Sequence, residues 1–426
     1  MGRNYRKQKI FSRKSLKDFQ NLENYVTNQL LNLKNNTILH DPKIEQKIGI
    51  INLLINNNKA LLTEHNQVTI LNNGDQTFAS IIDEIQKAEH HIHLEYYIID
   101  DDIIGNQIRE LLIEKSKQGV KIRIIYDGFG SRGLGAEYIG SLLRAGIEIY
   151  SFMPVRFYRL TTKINFRNHR KIVIVDGKVG FVGGLNIADR YLGNKELGFW
   201  RDTHLRIEGD AVKSLQAVFL IDWQFVSDEF INSTEYFPEC SIDQKCLVQI
   251  ASSGPDSDWA SIMQAYFYAI ASASKYMFIS MPYIIPNESI LTALKTSALA
   301  GVDIRLILPF KSDSMLTYWS SLSYLDELLE SGIKVYMYEK GFTHSKLIIC
   351  DDIFASVGTA NLDIRSFDQN LEVNALIYDE KIAITLKNMY LEDLSNCFEI
   401  TADDFSKRSS VNRFKESLAR VFSPIL

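Results

Sequence analysis

The chain has 426 residues, 46% hydrophobic and 23% charged, with a formal net charge of −5. That balance is globular, the length asks for two domains or one large duplicated unit, and the acidic net charge argues against a general polyanion binder, so attraction to phosphate has to be local. The four cysteines, Cys240, Cys246, Cys350 and Cys397, form no CxxC pair and have no histidine cluster beside them, which argues against zinc and a disulfide framework and favours a reducing, cytosol-facing compartment.

In chain order, Arg3, Arg6, Lys7, Lys9, Arg13, Lys14 and Lys17 crowd the start, with Tyr5 and Phe11 among them. This reads either as a solvated tail or as a juxtamembrane segment facing anionic lipid. Residues 18–70 read as polar and helical, from apolar positions at Leu22, Val26 and Leu30 and at Ile44, Ile48, Ile51 and Ile55. With the basic start they make an N-terminal appendage over 1–74. A β/α alternation follows: strand 91–99, helix 105–118, strand 120–126, helix 136–145, strand 147–152. The second half repeats this order, with YMFISMPYII (276–285) matching the first strand and LLESGIKVY, ending at Tyr336, echoing LLRAGIEIY, ending at Tyr150. Duplication of so long a unit predicts an α/β fold of two pseudo-twofold-related lobes, 75–245 and 246–426, each with a mixed central sheet flanked by helices. No apolar run of about 18 residues exists to span a bilayer. Residues 152–166 mix aromatics with Arg156, Arg159 and Lys163, as a headgroup-dipping or a core-facing loop; the tail 413–426 has amphipathic spacing at Phe414, Leu418, Val421 and Phe422, with packing on the protein as the default expectation.

Both halves reach one pattern, H-x-K-x4-D-x6-G-[GT]-x-N: His169, Lys171, Asp176, Gly183, Gly184 and Asn186 in the first, His344, Lys346, Asp351, Gly358, Thr359 and Asn361 in the second. In a strand, residues two apart share a face, so each His and Lys project together. Two such faces supply two imidazoles, two ammonium groups and two amides, a set suited to a phosphodiester. Lys171, Lys346, Asn186 and Asn361 hold the phosphate oxygens, one His attacks phosphorus and the other protonates the leaving oxygen. No metal or cofactor is expected. Asp176 and Asp351 belong to the motif set, but their place away from the histidine end points to a structural part.

The doubled motif resembles the phospholipase D superfamily over roughly residues 75–426. HIHLEYYIIDDDIIG, FRNHRKIVIVDGKVGFVGGLNIADRY, MPYIIPNESIL and HSKLIICDDIFASVGTANLDIRSFDQNLEVN are most similar to the bacterial cardiolipin synthases. The resemblance implies transfer of a phosphatidyl group between two phosphatidylglycerol molecules through a phosphohistidine, with His169 as nucleophile and His344 as acid. It implies orienting carboxylates at Asp202 and Glu372, each assigned to the half-site of its own lobe. Glu95, Tyr97, Arg167 with Asn168, Tyr283 and Arg365 are the expected pocket residues. It further implies a monomer at the cytoplasmic face of a bacterial membrane, with anionic lipid as partner and no nucleic acid. Members usually carry two transmembrane helices ahead of a basic segment like GRNYRKQKIFSRK; this sequence has none, so a shortened chain or a natural variant without them is expected.

Hydrolysis to phosphatidic acid shares every residue named, since the motif pair does not choose the acceptor. A nuclease of the same fold is disfavoured by the acidic charge and the lack of a basic stripe with interleaved aromatics. A non-catalytic scaffold is disfavoured because both motifs are intact. Gly128-Phe-Gly-Ser-Arg-Gly133 fits a dinucleotide fingerprint, but it follows the second strand of its lobe rather than the first.

Overall fold

The computed structural model describes residues 42–153, 165–193 and 197–423. The basic start, Leu22, Val26, Leu30 and Arg156, Arg159 and Lys163 lie outside the described residues.

The described residues form a sixteen-stranded sheet with two halves of one strand order. At the seam, Leu62–Asn72 pairs antiparallel with Lys245–Ser253. Outward from it, the first lobe runs Thr203–Gly209, Val179–Gly183, Lys171–Val175, His91–Tyr96, Lys121–Asp127 and Glu148–Phe152. The second runs Asn370–Tyr378, Phe354–Gly358, Leu347–Cys350, Tyr276–Ser280, Asp303–Pro309, Lys334–Tyr338 and an added edge strand, Cys397–Ile400. Each lobe is mixed: His91–Tyr96 runs parallel to Lys121–Asp127 and antiparallel to Lys171–Val175, and Tyr276–Ser280 repeats both relations.

The motif strands are fully buried runs of mostly β-branched and aliphatic residues, KIVIV and LIIC. Each turns into the next strand at its motif aspartate, which sits in the left-handed region (φ 55° for both Asp176 and Asp351). Gly177 follows in the first turn at φ 65°, while the second places Asp352 there at φ 59°.

Two expectations are corrected. Residues 62–72 form a strand, not part of a helical appendage. Val68 and Ile70 alternate there with Gln67 and Thr69, a period of two that belongs to a strand with a neighbour on each side. The helix Ile48–Asn58 exists, but Ile50, Ile51, Leu54 and Ile55 pack into the core of the second lobe with Met277, Ile279 and Leu291. The repeat therefore starts at Leu62 and again at Lys245. Helices Asp210–Ser227 and Glu380–Leu394 place Phe219, Trp223, Leu386 and Tyr390 in a core shared by both lobes, which fixes the lobes face to face.

Candidate active site

The backbone crosses between lobes at both histidines. Arg167–Asn168 runs parallel to Asn370 and Leu371, so the His169 amide donates to the Leu371 carbonyl at 2.9 Å. Gly341–Thr343 runs parallel to Phe199–Arg201, so the His344 amide donates to the Arg201 carbonyl at 2.7 Å. These short ladders set the side chains. His169 Nδ1 lies 3.0 Å from both oxygens of Glu372, and His344 Nδ1 lies 2.9 Å from Asp202 Oδ2. The sequence reading kept each acid with its own lobe; the structure exchanges them. Strand offsets within a lobe could not reveal a contact made by the other lobe's backbone.

Lys171 Nζ donates to the His169 carbonyl at 2.6 Å and Lys346 Nζ to the His344 carbonyl at 2.5 Å. Lys346 Nζ also lies 2.9 and 3.1 Å from the two ring nitrogens of His344. Burial brings the Lys171 ammonium down to about 7 and Lys346 down to about 8, in part offset by Glu372 and Asp202, whose charges both lysines feel. Burial and then the two lysines push His169 well below its ordinary value; burial and then Lys346 bring His344 to about 4. Burial raises Glu372 to about 7, against Lys171 and hydrogen bonds from Thr359 and Asn370. Asp202 differs: burial pushes it up, but the hydrogen bond from His344, the Lys346 charge and the Thr203 amide outweigh that and hold it below the usual carboxylate range. Both imidazoles thus have Nδ1 committed to a carboxylate, which leaves Nε2 for chemistry.

Asn186 Nδ2 donates to the Tyr191 hydroxyl and Asn361 Nδ2 to the Tyr283 hydroxyl, both at 2.7 Å. The Asn186 carbonyl is fixed by the Ile98 amide at 3.0 Å. The Tyr97 ring lies 5.2 Å from the His169 ring, with Lys171 Nζ 5.6 Å from its centre. The half-buried Arg365 adds positive charge felt by Tyr97, His169 and Tyr283. Arg167 is buried, 3.6 Å from Asp127 and over the Phe129 ring. Glu95 is fully buried, where it accepts from Asn168 Nδ2 at 2.6 Å and faces the charge of Arg170. One residue from the end of its strand His91–Tyr96, it holds the Asn168 side chain directly before His169.

Asp176 and Asp351 stand at the other end of their strands. Asp176 accepts the amides of Glu89, His90 and His91 at 2.8 to 2.9 Å. Asp351 accepts those of Ser274, Lys275 and Tyr276 at 2.8 to 3.2 Å. Each ties the entry of the neighbouring strand and is remote from the histidines. The amides of Phe129 and Gly130 donate to Asp127 at 2.8 and 2.9 Å, so in the GxGxxG segment they are already committed.

Several site residues escaped the sequence reading. Thr359 Oγ1 donates to Glu372 at 2.5 Å and Asn370 Nδ2 lies 3.2 Å from it. Arg170 pairs with Asp222 inside the shared core. Trp200 and Phe342 flank the His344 ring at 5.2 and 5.9 Å. Asp313, exposed on the loop after Asp303–Pro309, adds negative charge felt by His344 and Lys346. For Thr359, the Gly/Thr alternative in the shared pattern was the visible trace.

Residues 81–223 and 266–394 match the family described as "Cardiolipin synthase, PLD-like domain". The chain is 45% identical over 434 aligned positions to cardiolipin synthase 2 of Bacillus cereus, covering 100% of this chain and 82% of that protein. It is 48% identical over 363 positions to the cardiolipin synthase of Geobacillus kaustophilus, covering 84% and 72%. Among solved structures, phosphatidylserine synthase of Haemophilus influenzae superposes with a TM-score of 0.66 at 14% identity, over 89% of this chain and 100% of that one, which shows the shared fold. No helix among the described residues is long and apolar enough to cross a membrane. On the matched residues and these relatives, the chain belongs to the cardiolipin synthase family of phospholipase D-like proteins.

Proposed function

We propose that this protein is a cardiolipin synthase, transferring a phosphatidyl group from one phosphatidylglycerol to another and releasing glycerol. The observation that carries this reading is the pair of crossed His–carboxylate contacts with a lysine beside each histidine. They gather two nitrogen bases and two cations from both lobes into one buried site. His169 Nε2 attacks phosphorus, and the bond to the headgroup glycerol breaks as His344 gives that oxygen a proton. His344 then removes the proton from a primary hydroxyl of the second phosphatidylglycerol. That oxygen attacks the phosphohistidine, forming cardiolipin and freeing His169. Burial and then Lys346 hold His344 low; a bound phosphodiester places negative charge beside Lys346 and Lys171, offsets the lysine's part and so helps His344 carry the proton it must donate. Asn186 and Asn361 are assigned to the phosphate, Tyr97, Tyr283, Arg167 and Arg365 to the pocket around it.

Anionic membrane is the corresponding partner, with a monomer at the cytoplasmic face as the corresponding assembly. Incubation with phosphatidylglycerol vesicles and separation of the products tests the reading. Cardiolipin with one glycerol per turnover supports it. Phosphatidic acid as sole product replaces transfer by hydrolysis and leaves the site chemistry standing. A covalent adduct that survives in His169→Ala but is lost in His344→Ala reverses the two roles.

A further inference from the structure

The helix Ser410–Val421 is mounted inside out. A surface helix ordinarily turns its apolar stripe to the core. Here the stripe at helical spacing, Val411, Phe414, Leu418 and Val421, is 62%, 69%, 53% and 71% exposed. The buried positions on the other side are polar or small: Glu416, Ala419 and, just past the helix, Ser423. The helix is held through that side. Ser423 Oγ meets Ser320 Oγ at 2.8 Å, Arg420 donates to the Ser323 carbonyl at 2.9 Å and to Glu327 at 2.7 Å, and Glu416 receives Arg408 at 2.9 and 3.0 Å. A fixed apolar stripe facing outward is a large exposed cost unless something covers it.

Charge says what covers it. Residues 407–423 carry five cations, of which Lys407 pairs with Asp403, Arg408 with Asp326 and the buried Glu416, and Arg420 with Glu327; Arg413 and Lys415, on either side of Phe414, have no acid bonded to them among the described residues. Apolar side chains rimmed by lysine and arginine fit an anionic bilayer, where the stripe enters the acyl boundary and the cations meet headgroups. A second copy of the same face would bring two cationic rims together. The position also fits. The helix packs on Met315–Leu322, where Met315 and Leu316 are likewise exposed, and that helix begins just after Asp313, whose charge reaches His344 and Lys346.

We infer that the outward face of Ser410–Val421, continued by Met315 and Leu316 on the helix it packs against, docks the protein on an anionic lipid surface. The inference deepens the proposed function, on which its purpose rests, but its test is separate. Full-length Phe414→Trp is mixed with vesicles of phosphatidylserine bearing brominated acyl chains, so docking is read without turnover. The added indole should shift to the blue and be quenched, and less so on phosphatidylcholine vesicles. Phe414→Glu with Leu418→Glu and Val421→Glu should weaken vesicle binding roughly 30-fold or more, with turnover of monomeric short-chain phosphatidylglycerol unchanged. Any one of three results overturns the inference: no added quenching in Phe414→Trp relative to the parent protein, unchanged vesicle binding in the triple variant, or a self-associated form that the glutamates dissolve. Docking without cardiolipin formation would remove the function and leave the surface; cardiolipin formation without docking would do the reverse.

Discussion

The two half-sites share a motif, a crossed backbone ladder and a lysine beside each histidine, yet their carboxylates are set differently. Around His169, the longer acid Glu372 is fully buried, receives Thr359 and Asn370, and is raised to about 7. Around His344, the shorter acid Asp202 is lowered. Gly184 stands where the other half has Thr359, and it leaves the space Asp202 needs: a Cβ there would come 2.1 Å from Asp202 Oδ1. Duplication therefore preserved the histidines and lysines while one methylene and one hydroxyl separated the partners. An ionised Asp202 is suited to a histidine that must become cationic; a Glu372 near neutrality leaves His169 an uncharged nucleophile.

The sharpest way to break that division of roles is to replace each histidine and vary the leaving group. On phosphatidylglycerol, His169→Ala should lose roughly 10⁴-fold or more in kcat/KM and His344→Ala on the order of 10²- to 10⁴-fold. With a phosphatidyl ester of nitrophenol, which departs without a proton, His344→Ala should recover most of its first-step rate and His169→Ala should not. Recovery in the opposite variant would exchange the roles.

The carboxylates give the next largest effect. Asp202→Asn should cost on the order of 10³-fold at every pH, because the ionised acid is lost throughout. Glu372→Gln should depend on pH. Below about 7 the wild-type carboxyl is mostly protonated, so the amide is a close replacement and the loss should be about ten-fold or less. Above 7 the wild type ionises and the deficit should widen. A flat ratio of variant to wild type between pH 6 and 8.5 would remove the electrostatic difference between the half-sites.

Most of this site was legible in the sequence, and what was missed has a physical reason. A repeated H-x-K with a repeated G-x2-N exposes strand alternation and a close backbone approach, both local properties, and the structure puts His169, Lys171, His344 and Lys346 together as expected. The pairing of Glu372 with His169 is not local. It comes from Asn370 and Leu371 running beside Arg167 and Asn168, a contact between segments some two hundred residues apart. Leu62–Asn72 was misread for a related reason: its alternation is short and polar, and only the strands beside it make it a strand. The C-terminal amphipathic spacing was legible, but not its direction, because an apolar stripe looks the same in sequence whichever side it faces.

The motif aspartates extend the comparison from activity to stability. Asp351 accepts three amides and also Lys47 Nζ at 3.1 Å, with that lysine wholly buried; Asp176 accepts three amides with no such cation bonded to it among the described residues. Asp351→Asn would leave Lys47 buried without its counter-charge and should cost about 3–5 kcal/mol in urea unfolding. Asp176→Asn should cost about 1–2 kcal/mol. Burial pushes the Asp351 carboxyl up, but Lys47 and the amides of Lys275 and Ser274 outweigh it and bring it to about 2. Its contribution is therefore complete above about pH 4 and fades as pH falls through about 2. Asp351→Asn should flatten that acid limb; equal costs for the two aspartates would show that Lys47 adds nothing.

The smallest effect isolates a single hydroxyl. Thr359 Oγ1 donates to Glu372 at 2.5 Å and so favours the ionised acid. Thr359→Val keeps the volume and removes the donor, so the Glu372 carboxyl should rise further. The limb of the pH profile that follows Glu372 should move upward by a few tenths of a unit to about one unit, with kcat at the plateau within about ten-fold of wild type. Thr359→Ser, which restores the hydroxyl, should bring the limb back. In the other half-site Gly184 has no side chain to remove, so no substitution there can lower a hydrogen-bond count on Asp202; Gly184→Ala should instead push against Asp202 and lower activity without moving a limb. A Thr359→Val profile that keeps its midpoint while losing rate would make Thr359 a packing residue, and the asymmetry would then rest on acid length and on the different donors and charges that face two equally buried carboxylates.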